Sequence, residues 1–380
     1  MNYRAAPAPG DSVDAIEAPA LVIDLDAMER NLAAMAAFAK AHGLRLRPHA
    51  KMHKCAAIAR LQIAAGAVGV CVQKTSEAEA LAGAGIDDIY ISNEVIDPRK
   101  LARVAALAQR ITMAIAVDSA EGVERLAAAM RDAGATIDVF VEIDVGQGRC
   151  GVPPAAAGAL AHQVVSHAPP EGGLRFAGLQ AYHGGAQHLR SAAEREAASR
   201  HAASLASAAR ASITSSGIAC PLVTGGGTGT FAFDAASGVW GELQCGSYLF
   251  MDRDYADNEP TPNAPGFEHA LFVKSQVMSR GAAHAVVDAG HKSYALDSGL
   301  PRVWKRALEF ASGGDEHGIL RRRPGVPPRD LPALGETVWL VPGHCDPTVN
   351  LHDRCVAVRG GIEAGHIAAF WPVDARGCIA

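Results

Sequence analysis

The stretch Arg47–Pro48–His49–Ala50–Lys51–Met52–His53–Lys54 sets one amine, Lys51, among an arginine, two histidines and a second lysine. A short apolar alternation, Leu44 and Leu46, precedes it, and a helix-like run, Cys55–Leu61, follows. A lysine on a strand-to-helix turn can be held in a pocket, and burial and cationic neighbours both lower an amine's pKa. A neutral amine is available for Schiff-base chemistry. Arg47, His49, His53 and Lys54 are the expected cationic neighbours. Taken alone, the same eight residues also read as a solvated basic turn.

Other stretches carry chemistry-bearing residues. Thr224–Gly225–Gly226–Gly227–Thr228–Gly229–Thr230 is a turn whose glycines let backbone amides approach an anion closely. It lacks the GK[ST] ending of a nucleotide P-loop and the GxGxxG spacing of a dinucleotide fold, so a monophosphate fits it better. Val145–Gly146–Gln147–Gly148–Arg149–Cys150–Gly151 offers an arginine able to donate to a ring nitrogen or a carboxylate; a surface turn is the plain alternative. His344–Cys345–Asp346 follows an apolar run, Val338–Val341. On an extended segment residues i and i+2 share a side, so His344 and Asp346 can take one cation while Cys345 points away. Nitrogen and oxygen donors suit a labile divalent ion such as Mn²⁺ better than a closed zinc site, and a hydrogen-bonded His–Asp pair is the simpler reading. His183, in Ala181–Tyr182–His183–Gly184–Gly185, is expected to face the same mouth and move a proton, or to serve as a hydrogen-bonded structural histidine. Asp315–Glu316–His317–Gly318 reads as a polar turn.

These residues need elements to position them. Strand-like runs fall at Leu44–His49, Val68–Gln73, Asp88–Ser92, Ile111–Val117, Ile137–Ile143, Leu174–Tyr182, Cys220–Thr224 and Glu242–Tyr248. Ala-rich amphipathic stretches lie between most of them, as at Ala120–Ala133 and Ala192–Ser215. The alternation predicts an α/β fold, a TIM-type (β/α)₈ barrel, and also permits an open doubly wound sheet. In a barrel the Gly-rich turn follows the seventh strand, the usual phosphate position, and the Arg149 loop follows the fifth. An earlier run, Leu21–Asp26, is β-like, with Asp26 expected to cap the following helix. After about Pro260 long helical periods stop and short β-like runs begin: Ala270–Met278, Ala285–Asp288, Thr337–Val341, Arg354–Arg359 and Ile367–Trp371. The expected division is an arm over 1–17, the barrel over 18–260 and a C-terminal all-β domain over 261–380 carrying the His344/Asp346 pair.

A chain of 380 residues outgrows a single core, which agrees with two domains. Its net charge of −5 gives no electrostatic footprint for nucleic acid, and Arg321–Arg322–Arg323 reads as a solvated loop. Eight scattered cysteines without a CxxC pair, a polar Pro-rich start, and no uninterrupted apolar run of spanning length predict a cytoplasmic protein with reduced thiols and no membrane partner.

Together the ordered motifs RPHAKMHK, CVQKTSEAEA, YISNEV, VEIDVGQGRCGV, LQAYHGGAQH, TGGGTGT, LQCGSYLFMDRDY, DEHG and VPGHCDPTVNLHD resemble the D-threonine aldolase family and its relatives the 3-hydroxy-D-aspartate aldolases. These are alanine-racemase-like, fold type III enzymes that use pyridoxal 5′-phosphate (PLP). The resemblance runs from about Ala18 to Gly377. It implies that Lys51 is the Schiff-base lysine and that Arg149 meets the PLP ring nitrogen. It places Gly226, Gly227 and Thr228 at the phosphate, Tyr182 and Tyr255 on the pocket wall, His344 and Asp346 on the metal, and His183 at the hydroxyl proton.

The implied reaction is retro-aldol cleavage of a D-3-hydroxy amino acid, D-threonine giving glycine and acetaldehyde. The implied metal is Mn²⁺ first, with Mg²⁺ or Co²⁺ as alternatives, and the implied assembly is a homodimer. QAYHG favours D-threonine aldolase, whereas LQCGSY, LDSGLP and GHCDPT are closer to the hydroxyaspartate enzymes, whose products are glycine and glyoxylate. The dehydratase relatives carry HxC where this chain has His344 and Asp346. Dehydration, racemisation and a non-catalytic PLP carrier are further alternatives, and the β domain speaks against a carrier.

Overall fold

The computed structural model describes residues 6–169, 172–325 and 327–380. Its first strand, β1 (Ala20–Asp24), leaves the barrel to its neighbours and pairs with strands from the far end of the chain. Helix α1 (Leu25–Ala41) follows directly. Asp24, not the expected Asp26, caps it, accepting from the Ala27 amide at 3.1 Å. Asp26 lies inside the first turn and accepts instead from Arg359 (2.8 Å) and the Gly360 amide (2.7 Å).

The barrel strands are β2 (Arg45–Leu46), β3 (Val70–Val72), β4 (Asp88–Ile91), β5 (Thr112–Val117), β6 (Thr136–Glu142), β7 (Gly173–Ala181), β8 (Val223–Gly225) and β9 (Glu242–Leu243). Between them run α2 (Ala56–Ala64), α3 (Thr75–Gly83), α4 (Pro98–Ala108), α5 (Ala120–Ala133), α6 (Ala157–Ser166), α7 (Ala192–Ser215) and α8 (Phe231–Ser237). The strands are parallel in the order β2-β9-β8-β7-β6-β5-β4-β3. The two ends of that order meet where Val68 N–H donates to Leu46 O and Cys71 N–H to Pro48 O, both at 2.9 Å, beside a parallel bridge between His49 and Cys71. The sheet therefore curls back onto itself. Strands covered on both faces must be apolar on both, which is why Ile89–Tyr90–Ile91 and Met113–Val117 are unbroken apolar runs, all buried. Ala202, Ala206 and Ala209 line the buried face of α7, where small side chains permit close helix-to-sheet packing.

The barrel interior is partly polar. Beside an apolar cluster of Cys71, Tyr90, Ala114 and Phe140, Gln180 accepts from Tyr90 (2.9 Å) and Gln244 (2.7 Å), and Thr224 donates to Glu242 (2.8 Å). Arg47 lies here, paired with Asp88 at 2.5 Å and Glu242 at 3.3 Å. A buried guanidinium needs such partners. Arg47 thus serves the barrel and is not a free cation beside Lys51.

After the short helix α9 (Arg253–Ala256) come β10 (Leu271–Arg280), β11 (His284–Val287), β12 (Arg302–Val303), β13 (Leu308–Ser312), β14 (Gly318–Arg322), β15 (Thr337–Val341), the short helix α10 (Cys345–Val349), β16 (Arg354–Arg359) and β17 (His366–Pro372). The main path of this second sheet is β13-β14-β11-β10-β1-β16-β17, with β15 on β10 and β12 on β15. β1 stands at its centre, with Leu21 opposite Val273 and Val22 opposite Val356. The expected 18–260 barrel span therefore has an exception at its start. The preceding arm is tied to the same sheet, since Lys274 Nζ donates to the carbonyls of Val13 (2.9 Å) and Ile16 (2.7 Å). Arg321 and Arg322, expected in a loop, belong to β14, where Arg321 faces Glu309 across the ladder. Among the described residues no helix is long and apolar enough to cross a membrane. All eight cysteines are unpaired.

Candidate active site

The barrel mouth meets the β domain around a cavity lined by Lys51, Arg149, Tyr182, Gly226, Gly227, Thr228, Tyr255, His344 and Asp346, with His188 also on its wall. Nine of the ten residues singled out in the sequence thus share one space. His183 does not.

Lys51 sits on a single 3₁₀ turn, Ala50–Met52, capped by His49, whose Nδ1 accepts the Lys51 amide at 3.4 Å. Its Nζ lies 3.5 Å from Asp346 Oδ2. Burial alone lowers the amine's pKa, but Asp346 and Tyr182 outweigh it, so the pKa is raised and the expected depression is not found. The supposed cationic neighbours are committed elsewhere or neutral. Lys54 pairs with Glu77 at 3.1 Å, and burial pulls His53 down to about 4 and His49 well below its usual range.

His344 and Asp346 come together differently from the expected extended segment. His344 is extended, but α10 begins at Cys345, whose amide donates to Asp252 Oδ2 at 3.0 Å. Asp346 is therefore in a first helical turn, with its Oδ1 still 3.6 Å from His344 Nε2. The other ring nitrogen, Nδ1, is held by Asp297 Oδ2 at 2.5 Å. Burial lowers the His344 pKa, yet Asp346 and Asp297 raise it on balance. Asp346 Oδ1 is buried without a hydrogen-bond partner. An orphaned carboxylate oxygen facing an imidazole nitrogen, with the far nitrogen held by a second carboxylate, is a donor set that fits a divalent cation.

The Gly-rich turn over 224–230 is equally specific. Gly226 has φ +72°, and a Cβ there would lie 2.8 Å from Asp234; at Gly227 it would lie 2.5 Å from Gln187 Oε1. The Gly229 amide donates to Gln187 Oε1, whereas no hydrogen bond among the described residues takes the amides of Gly226 or Thr228. Free backbone donors on one side of the cavity and an amine, Lys51, also on its wall fit PLP's phosphate and carbonyl ends. Arg149 lies 5.7 Å over the Tyr182 ring and 3.8 Å from Glu142.

His183 is turned away because side chains alternate at the end of β7: Tyr182 faces the cavity and its neighbour faces out. His183 Nδ1 accepts the Ala186 amide at 3.3 Å, and its Nε2 packs against Gly146 near His201. Burial holds its pKa below the usual value. The following 3₁₀ turn, Gly185–His188, carries His188 to the cavity instead. Asp254 Oδ2 holds His188 Nδ1 at 2.5 Å, while its Oδ1 accepts from Arg190. These partners bring the Asp254 carboxyl down to about 2 against the opposing effect of burial. With Nδ1 engaged, Nε2 is the ring nitrogen left for a ligand. The signal was in the motif LQAYHGGAQH, which contains both histidines. The polar turn 315–318 stays in the β domain, where Glu316 pairs with exposed Lys292.

A model of the alanine racemase N-terminal domain matches residues 23–254, and one of a serine dehydratase domain matches residues 270–358. A D-threonine aldolase of Arthrobacter sp. is 47% identical over 371 residues, 97% of this chain and 95% of that protein. A 3-hydroxy-D-aspartate aldolase of Paracoccus denitrificans is 42% identical over 385 residues, 99% of this chain and 96% of that protein. The crystal structure of D-threonine aldolase from Filomicrobium marinum superposes with a TM-score of 0.94 at 48% identity, covering 99% of this chain and 100% of that one.

Proposed function

Because this chain belongs to the alanine racemase N-terminal domain family, within the D-threonine and 3-hydroxy-D-aspartate aldolases, we propose that it is a lyase cleaving D-3-hydroxy amino acids, D-threonine to glycine and acetaldehyde, with PLP and one Mn²⁺-like ion. The observation that carries this reading is the adjacency of an amine and a cation pair: Lys51 Nζ is 3.5 Å from Asp346, which is 3.6 Å from His344. A racemase has no need of the second feature.

When bound, PLP supplies the electron sink for the pair left on Cα and the divalent ion supplies Lewis acidity toward the substrate's hydroxyl. Lys51 would hold the cofactor carbonyl, and the Gly226 to Thr228 turn would hold its phosphate. Arg149 would serve the ring nitrogen as a donor only, since a guanidinium keeps its protons. His344 and Asp346 would hold the ion, with Asp297 fixing the His344 ring. His188 Nε2 takes the β-hydroxyl proton, with Asp254 stabilising the imidazolium that forms. Tyr182 and Tyr255 wall the pocket. The reading includes a cytoplasmic homodimer, supported by the unpaired thiols and by family membership.

The test is an activity panel of D-threonine, L-threonine, D-3-hydroxyaspartate and D-phenylserine, with and without added Mn²⁺. Metal-dependent acetaldehyde release from D-threonine alone of the two threonines is expected. Glyoxylate from D-3-hydroxyaspartate as the dominant product moves the assignment to the hydroxyaspartate enzymes, and no aldehyde from any substrate overturns it.

A further inference from the structure

Four acidic donors converge at the mouths of three adjacent barrel strands, behind Arg149. Glu94 lies just past β4, Asp118 just past β5, Glu142 ends β6, and Cys150 follows Arg149 on the next loop. One ligand atom each from Glu94, Asp118 and Cys150 lie within 4.8 Å of one another. Glu142 is 3% exposed, and its carboxyl group meets that of Glu94. Glu142 Oε2 and both Glu94 oxygens are buried with no hydrogen-bond partner. Arg149, at 3.8 Å from Glu142, is beyond hydrogen-bond reach and has its side chain 44% exposed. Asp118 Oδ2 accepts only weakly, from the Gly151 amide at 3.2 Å.

Buried polar atoms are ordinarily satisfied, and two touching carboxylates cannot both stay ionised without a counter-charge. One shared proton bridges a single oxygen of each glutamate. The Cys150 thiol also meets the Glu94 carboxyl, but neither contact gives a reason for the Asp118 carboxylate to close on the same point. A cation among Glu94, Asp118 and Cys150 supplies the missing counter-charge, with Glu142 reaching it beside Glu94. We propose that Glu94, Asp118, Glu142 and Cys150 form a second divalent-cation site, separate from His344 and Asp346. Three carboxylates with one thiolate select an ion of borderline softness, Zn²⁺ or Co²⁺, over Mg²⁺. Binding displaces protons. Burial and Glu94 push the Glu142 carboxyl up, and burial with the acidic neighbours pushes the Cys150 thiol up, so both hold protons at neutral pH until the ion replaces them. By engaging Glu142, the ion leaves the Arg149 guanidinium free for the pocket. The inference rests on these residues and not on the aldolase reading.

The experiment measures metal per chain by atomic emission after loading the PLP-bound enzyme with Co²⁺ or Zn²⁺ and removing loose ion by gel filtration. The wild type is expected to retain about two equivalents, the H344A/D346A variant about one, and an E94Q/E142Q variant about one. In H344A/D346A the cobalt-minus-zinc difference spectrum should show thiolate-to-cobalt absorption that C150S removes. Should E94Q/E142Q fail to fold, the C150S comparison stands alone as the test. If H344A/D346A retains no ion while its PLP spectrum and circular dichroism are intact, the site holds only a shared proton and the proposal is overturned.

Discussion

Lys51 Nζ and Asp346 Oδ2 lie 3.5 Å apart although 295 positions separate them in the chain. Lys51 rides on the turn after the first barrel strand; Asp346 rides on a short helix of the β domain. The contact joins the two parts of the molecule at the cavity and puts the amine next to a carboxylate in place of the expected cations. One oxygen of Asp346 thereby faces Lys51, and the other is left to face His344.

Lys51→Ala is expected to abolish aldehyde release and to leave no lysine whose PLP adduct is trapped by borohydride. Peptide mapping of reduced wild type and variant checks it. A labelled Lys54 or Lys74 peptide in the variant contradicts the assignment. Lys54 is a poor substitute, because its ammonium already pairs with Glu77 and donates to the Ala375 and Cys378 carbonyls.

His344→Ala and Asp346→Ala should keep bound PLP and lose cleavage. EDTA should do the same to the wild type, with Mn²⁺ restoring it, because two side chains leave most of the ion's coordination shell open and removable. Emptying the His344/Asp346 site by itself, as in H344A/D346A, should change the melting temperature little, since so open a site adds little to folding. Full activity in a chelated sample shown by atomic emission to be metal-free counts against the metal's role.

His188→Ala should lower kcat by about 10²–10⁴-fold, the usual range for a positioned base, whereas His183→Ala should leave kcat near wild type. Asp254→Asn should also lower kcat, because it removes the carboxylate that orients the His188 ring. Steady-state rates on D-threonine with circular dichroism controls decide. An inactive, well-folded His183→Ala beside an active His188→Ala reverses the two assignments.

Asp234, buried beneath the Gly-rich turn, accepts from Ser199 Oγ and Thr230 Oγ1, each at 2.6 Å. Burial pushes its carboxyl up to about 6 from 3.8, despite these hydrogen bonds. A folded-state pKa above the unfolded value means a contribution complete below about pH 4 and lost as pH rises through about 6. Between pH 4 and 7 the wild type should therefore lose up to about 3 kcal/mol relative to Asp234→Asn. Urea melts of both proteins across that range measure the difference, and parallel pH dependences argue against it.

In solution the enzyme should be a homodimer at micromolar concentration. Light scattering coupled to gel filtration gives the mass, and a fully active monomer contradicts the proposal.

Much of this was legible in the sequence because local chemistry dictates it. Apolar runs such as Met113–Val117 and the Ala-rich periods of α5 and α7 demand strands and helices wherever they sit, and their alternation calls for a parallel sheet. Glycine at 226 and 227 is required by a positive φ at one and a close neighbour at the other. The ordered motifs carried Lys51, Arg149, His344 and Asp346 into one site.

Tertiary structure decided the rest, since pairing across long separations leaves no local mark. Ala20–Asp24 reads as a strand in any sheet; only the availability of β10 and β16 places it in the β domain. Arg47 looks like a cation for Lys51 until Asp88 and Glu242 claim it. His183 and His188 are chemically identical in the sequence. One faces away because it follows Tyr182 at the end of a strand, and the other faces the cavity because a 3₁₀ turn and Asp254 hold it there.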